Sequence, residues 1–269
     1  MSNPLTLTLI QSSLHWEDKS GNLQMFEEKI NAIKEKTEII VLPEMFSTGF
    51  SMHPQQLAET MDGETVQWMK NMASKKRVII TGSLIISEAT ENNSLKYYNR
   101  MLWVLPNGEV GYYDKRHLFA YAGEDKEYTP GNKRLIASVK GWKVLLLVCY
   151  DLRYPVWSRQ QMKDGQPEYD LIIYVANWPD RRSHSWRTLL QARAIENQCF
   201  VAGVNRVGED APGNHYIGDS MVADPLGEVL YHQKDEEDVF TITLDKTRVE
   251  TVREKLPFWK DADGFQVID

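Results

Sequence analysis

Two cysteines in 269 residues cannot make a disulfide framework. Free thiols persist in a reducing compartment, so a cytoplasmic location is expected. No apolar run approaches the roughly 18 residues of a membrane span, so no membrane partner is expected. The N-terminal MSNPLTLTLIQ carries no basic leader and reads as a strand, so no signal peptide is expected either. Long basic runs are missing, and 31 basic residues against 38 acidic ones leave a net charge of −7. That balance argues against nucleic acid as a partner. The six histidines are scattered without HxxxH spacing and there is no CxxC, so no metal site is expected. Neither GxGxxG nor a P-loop pattern occurs, and no cofactor is expected. Repeats, low-complexity tracts and Pro/Gly/Ser-rich linkers are lacking too, which favours one compact domain.

What is present is a layered α/β pattern. At 42% hydrophobic residues the chain can bury a sizeable core. Alternation over Leu5–Ile10 predicts a first strand, and Leu23, Phe26, Ile30 and Ile33 predict a helix over Ser20–Lys36. EIIVLPE and RVIITGSLII read as buried strands flanking a helix over Glu64–Lys75. YYNRMLWVLPNGEVGYYDK reads as a hairpin turning at Pro106-Asn107-Gly108. WKVLLLV, YDLIIYVAN and CFVAGVNRV are three further buried strands, with a helix over Ser185–Asn197. Pro155 suits the first turn of a helix after WKVLLLV. Antiparallel strands close the pattern, and a polar segment with Phe258, Trp259 and Phe265 follows. Strands alternating with helices, plus hairpins, mean an α/β fold.

Three residues stand where strands end: Glu44 after EIIVLP, Lys115 after the hairpin, and Cys149 after WKVLLLV. Each alone is ordinary, as a turn acid, a surface charge and a small buried hydrophobe. Together they form a chemical set. A thiol attacks as thiolate and needs a base, because its free pKa is about 8.5. A buried carboxylate can take that proton. A lysine can hold the oxyanion of a tetrahedral intermediate. The three residue types therefore suit acyl transfer without an imidazole.

VLPEMFSTGF around Glu44, YDKRHLF around Lys115 and LLLVCYDLRYP around Cys149 resemble the nitrilase superfamily of carbon–nitrogen hydrolases. YVANWP, LLQARAIENQCFVAGVNRVG and GDSMVADPLGEVL extend the likeness to about Leu5–Asp245. Within the superfamily, DKRHLF…AGE, NWP and ARAIENQ look closest to bacterial omega-amidases. The resemblance implies a four-layer α-β-β-α sandwich, with a 1–246 hydrolase domain and a 247–269 C-terminal tail in a dimer contact. It also implies Glu44 as general base, Lys115 as oxyanion stabiliser and Cys149 as nucleophile, joined by the backbone N–H of Tyr150. Related enzymes use a second glutamate in the loop after the lysine. Glu124 follows a glycine and stands six residues before the Pro130-Gly131 pair, as in related loops, whereas Glu127 does neither.

The implied activity is hydrolysis of short ω-monoamides of dicarboxylic acids through a cysteine thioester. An aliphatic amidase, an N-carbamoyl amide hydrolase or a nitrilase with the same triad is the alternative. Arg153 is the candidate for a substrate carboxylate, since arginine forks onto carboxylates; a structural ion pair with Asp151 is its other reading. Phe119, Tyr121, Asn177 and Trp178 are candidate pocket walls. Arg181 and Arg182 read as solvated charge with reach to the pocket mouth, His117 as a supporting hydrogen-bonder and Cys199 as packing. The expected partners are a small amide substrate and a second copy of the chain.

Overall fold

The computed structural model describes residues 3–163 and 165–267. In chain order, β1 (Leu5–Gln11), α1 (Lys19–Ala32), β2 (Ile39–Val41), α2 (Pro54–Leu57), α3 (Glu64–Lys76), β3 (Ile79–Ala89), β4 (Leu95–Val104) and β5 (Val110–Asp114) make the first half. The second half runs α4 (Glu124–Glu127), β6 (Leu135–Val139), β7 (Trp142–Val148), α5 (Pro155–Ser158), the short ladder β8 (Met162–Lys163) with β9 (Gln166–Pro167), β10 (Leu171–Val175), α6 (Ser183–Asn197), β11 (Phe200–Val204), β12 (Val207–Glu209), β13 (His215–Ala223), β14 (Val229–Lys234), β15 (Asp238–Leu244) and α7 (Lys246–Lys255).

Two sheets result. One has the order β15-β1-β2-β3-β4-β5, and the other β12-β13-β11-β10-β7-β6 with β14 on β13. The chain crosses back at its end: β15 pairs antiparallel with β1, Leu5 opposite Leu244. The period of two in each strand decides which side chains face which layer. Leu5, Leu7 and Leu9 of β1 pack with Ile39, Val41, Met101 and Trp103 against Leu146 and Val148 of the other sheet. The alternate positions Ile10, Ile40, Ile80, Leu102 and Val104 pack outward under Phe26 and Ile30 of α1 and Met69 of α3. Trp186, Leu190 and Ala194 of α6 cover the outer face of the second sheet. The fold is therefore the four-layer α-β-β-α sandwich.

The differences from sequence expectation lie at element ends. α1 stops at Ala32 because Ile33 turns extended, at ψ 121, and packs onto the outer cluster. The helix opened by Pro155 lasts a single turn, since Arg159 leaves it with ψ 128. One-turn α2 and α4 are too short for any periodicity. The 247–269 segment begins inside α7, whose Val249 and Val252 are buried.

Candidate active site

Parallel strands β7, β10 and β11 end on the same edge, and the loops there converge with the loops after β2 and β5. Glu44, Lys115, Glu124 and Cys149 meet at this edge, far apart in sequence. The first three side chains are wholly buried and Cys149 is 9% exposed. Lys115 Nζ contacts Glu44 Oε1 at 2.9 Å and Glu124 Oε1 and Oε2 at 2.9 and 2.8 Å. These contacts account for the three protons of the ammonium.

Local backbone sets each side chain. Cys149 opens a 3-10 turn (Cys149–Arg153) with φ +44, a left-handed conformation unusual for a residue with a Cβ. Asp151 clamps that turn. Its Oδ2 accepts from the Val148 N–H at 3.0 Å and the Tyr113 hydroxyl at 2.8 Å. Its Oδ1 accepts from the backbone N–H of His117 at 3.0 Å and faces the His117 ring nitrogen at 2.8 Å. His117 thus supports the turn and stacks on Tyr154, 3.8 Å between ring centroids. Glu124 is the first residue of α4, after Gly123 at φ +80. The loop then returns over Lys115, where the Gly131 N–H donates to the Lys115 carbonyl at 3.0 Å. A Cβ on Gly131 would lie 2.2 Å from the Asp114 carbonyl oxygen, so only glycine fits this crossing.

Electrostatics follow from burial and from these pairs. Burial pushes the Cys149 thiol well up, Glu44 adds to the rise, and Lys115 opposes it. The thiol is therefore neutral at neutral pH and needs a base. Burial disfavours the charge on Lys115, but Glu124, Glu44 and Cys149 overcome it and hold the ammonium above its usual range. Burial likewise raises the Glu124 carboxyl, against the pull of Lys115 and with repulsion from Glu44.

A small cleft of about 110 Å³ opens above Cys149. It falls below the roughly 300–1,000 Å³ of sites for drug-sized ligands, and so suits a small molecule. Phe119, Tyr121, Tyr150, Arg153, Asn177 and Trp178 all line it. Tyr121 is 82% exposed and belongs to the rim. Asn177 also belongs to the floor, because its backbone N–H donates to Glu44 Oε2 at 2.8 Å. Arg153 does not pair with Asp151. It donates to the Ser185 hydroxyl at 3.0 Å and lies over the Trp178 ring at 4.8 Å.

Arg181 and Arg182 both reach the cleft, Arg181 as an exposed charge. Arg182 is half-buried over the Phe119 ring, at 5.0 Å, and burial lowers its proton affinity. Cys199 lies in the core. Among the described residues, the cleft lining holds three arginines and no carboxylate.

Sequence reasoning missed Phe50, Asn214 and Tyr216 in the lining, and Asn99 beneath it. Asn99 lies inside a strand, where nothing in its neighbours' composition marks it. Among the described residues no group of acidic, histidine or cysteine side chains is arranged to hold a metal ion, and no helix is long and apolar enough to cross a membrane.

Comparison with known proteins agrees with this fold. The carbon-nitrogen hydrolase family model matches residues 6–254. The chain is 45% identical over 267 residues to the omega-amidase YafV of Escherichia coli (strain K12), covering 98% of each chain. It is 32% identical to the 2-oxoglutaramate amidase of Bacillus subtilis (strain 168), covering 95% of this chain and 96% of that one. A crystal structure of a CN-hydrolase superfamily protein from Xanthomonas campestris, with an arsenic adduct in its active site, superposes with a TM-score of 0.94 at 41% identity, covering 98% and 99% of the two chains. The chain belongs to the carbon-nitrogen hydrolase family.

Proposed function

We propose that the protein is an omega-amidase that hydrolyses short ω-monoamides of dicarboxylic acids, of the 2-oxoglutaramate, 2-oxosuccinamate and succinamate type, to the acid and ammonia. The observation that carries this reading is the cleft itself. A buried Glu44–Lys115–Glu124 cluster lies next to Cys149, which lines the cleft, and three arginines without a carboxylate line its walls. Such a lining favours an anionic amide and disfavours an added positive charge. The YafV and 2-oxoglutaramate amidase relatives support the same assignment.

In the proposed mechanism Glu44 takes the thiol proton through Oε2. Among the described residues its Oε1 accepts from Asn99 and Lys115 and its Oε2 from the Asn177 N–H, and the Cys149 thiol is hydrogen-bonded to the same side chain. The Cys149 sulfur adds to the amide carbonyl, and the oxygen gains negative charge facing Lys115 and the Tyr150 N–H. Glu124 holds Lys115 through two of the three ammonium contacts, one of which can pass to the oxyanion. Glu44 returns its proton to the nitrogen, the C–N bond breaks and ammonia leaves. Glu44 then takes a proton from water, whose oxygen adds to the thioester. Collapse releases the acid and restores the thiol with that proton. Arg153 binds the far carboxylate, with Arg182 also in the lining, and Phe119, Tyr121, Asn177 and Trp178 shape the pocket.

The same proposal takes the protein as a cytoplasmic homodimer or larger symmetric assembly, with the 247–269 segment at the contact; Phe258, exposed in that segment, offers apolar surface there. Ammonia release from 2-oxoglutaramate, succinamate, glutamine, a carbamoyl amino acid and a nitrile tests the function. Cys149→Ala is expected to abolish release, and full activity in that folded variant refutes the mechanism.

A further inference from the structure

One buried polar side chain beside the cluster is given no step of its own in the mechanism. Asn99 lies on β4, 1% exposed, directly under the cluster. Its backbone carbonyl accepts the Lys115 N–H at 3.0 Å. Its Nδ2 donates to Glu44 Oε1 at 2.8 Å and to Glu124 Oε1 at 3.1 Å. On its other side, Oδ1 accepts from the Ser83 hydroxyl at 2.8 Å, and that hydroxyl oxygen accepts the Met45 N–H at 2.9 Å. This chain defines the amide's orientation. Flipped, its oxygen would oppose two carboxylates and the Ser83 hydroxyl would lose its acceptor.

We propose that Asn99 is a positioning residue that closes the open Oε1 position of both glutamates, filling Glu124 and leaving Glu44 Oε2 as the atom that accepts the thiol proton. The proposal rests on the reading of Cys149 as nucleophile and Glu44 as base. A carboxylate has about four acceptor positions. On Glu124 all four are taken: Asn99 and Lys115 at Oε1, Lys115 and the Phe119 N–H at Oε2. A proton on Glu124 has to evict one of these donors. On Glu44, Asn99 and Lys115 fill Oε1, and the Asn177 N–H fills one position of Oε2. One position remains, and it belongs to the oxygen held from the β10 end, on the same side as Cys149, whose sulfur lies 3.9 Å from the Asn177 carbonyl oxygen.

Lys115 alone leaves one Oε1 position open on each glutamate, and the Asn99 NH2 closes both. As a neutral donor, Asn99 can bridge two like charges without adding a fourth charge to the sealed cluster. The titratable groups facing the pair are Lys115 and Cys149 within the cluster, and Tyr128 and Tyr216 beside it.

The test uses two readouts across pH in the full-length enzyme, Asn99→Ala and Ser83→Ala. One is ammonia release from succinamate. The other is the rate at which iodoacetamide alkylates Cys149, followed by mass spectrometry, which needs the base but no amide substrate. Removing a donor from a carboxylate raises its pKa, so the acid limb of both profiles is expected to move up by about one pH unit in Asn99→Ala. The kcat is expected to fall about 10–100-fold with KM little changed. Ser83→Ala keeps the donors but frees the amide, and a smaller shift in the same direction is expected. Acid limbs at the wild-type position in both folded variants overturn the proposal. If the wild-type enzyme releases no ammonia while the alkylation limb still shifts, the omega-amidase reading falls and the role of Asn99 stands.

Discussion

Asn177 and Glu44, 133 residues apart, hold each other through two hydrogen bonds of opposite origin. The Asn177 backbone N–H donates to the Glu44 side chain at 2.8 Å, and the Asn177 side-chain NH2 donates to the Glu44 carbonyl oxygen at 2.6 Å. Glu44 follows a strand of the first sheet and Asn177 a strand of the second. This reciprocal pair therefore ties the two sheets together at the edge where Cys149 emerges. Asn177→Ala keeps the backbone bond and loses the other. A buried carbonyl is left without its donor, at a cost of about 1–3 kcal/mol. A lowered denaturation midpoint and a clear loss of kcat with KM nearly unchanged are expected, measured by urea unfolding and ammonia release.

Lys115 is a buried cation between two buried anions. Lys115→Met removes the proposed oxyanion donor, with an expected loss of about 10²–10³-fold in kcat. It also leaves Glu44 and Glu124 unpaired, which destabilises by about 3–5 kcal/mol. Adding Glu124→Gln removes one of the stranded charges. The double variant is expected to recover stability but not activity. Recovery of both contradicts the assigned role of the lysine.

Arg153 and Arg182 face the cleft without acidic partners among the described residues. A charged hydrogen bond is worth about 1.5–3 kcal/mol, so Arg153→Met is expected to lower kcat/KM for succinamate about 10–100-fold. Butyramide, which lacks the carboxylate, is expected to lose little. Equal losses on both amides show that the arginine is structural. Arg182→Met is expected to give the same pattern more weakly.

The buried thiols and phenols set the alkaline limit of stability. Burial raises Cys149 and Cys199, and also Tyr113 and Tyr169, above their usual values. A raised pKa means that the folded state holds its proton more tightly than the unfolded chain. The stabilising effect is whole below the unfolded pKa, near 8.5 for cysteine, and is lost progressively above it. Each such group contributes a fall of about 1.4 kcal/mol per pH unit. Urea midpoints are expected to be flat near neutrality and to decline above about pH 8.5. Cys199→Ala, which changes a thiol outside the site, is expected to flatten that decline whatever it does to the midpoint at pH 7. A slope identical to wild type removes Cys199 from the account.

Much of the fold was legible because burial leaves a periodic trace. Leu5, Leu7 and Leu9 alternate with outward residues, and Leu145 to Val148 form a continuous apolar run because both faces of β7 are covered. One-turn elements left no trace, since four residues do not complete a period. In the site, Glu44, Lys115 and Cys149 were legible as residue types at strand ends within strongly patterned segments. Asn99, Phe50 and Tyr216 were not. An asparagine in the middle of YYNRM carries the same local signal whether its side chain meets solvent or two carboxylates.

The sequence by itself determined the alternation of strands and helices, the residues able to do acyl transfer and the family that arranges them in this order. Those follow from local chemistry, which each segment carries alone. Only the tertiary structure decided the pairings. It set Asp151 against His117 and Tyr113 rather than Arg153, brought Arg182 over Phe119, and placed Asn99 between Glu44 and Glu124. Each of these depends on where strands from distant segments end relative to one another. That is set by the packing of two sheets and by loop returns such as the one at Gly131, not by any residue's immediate neighbours.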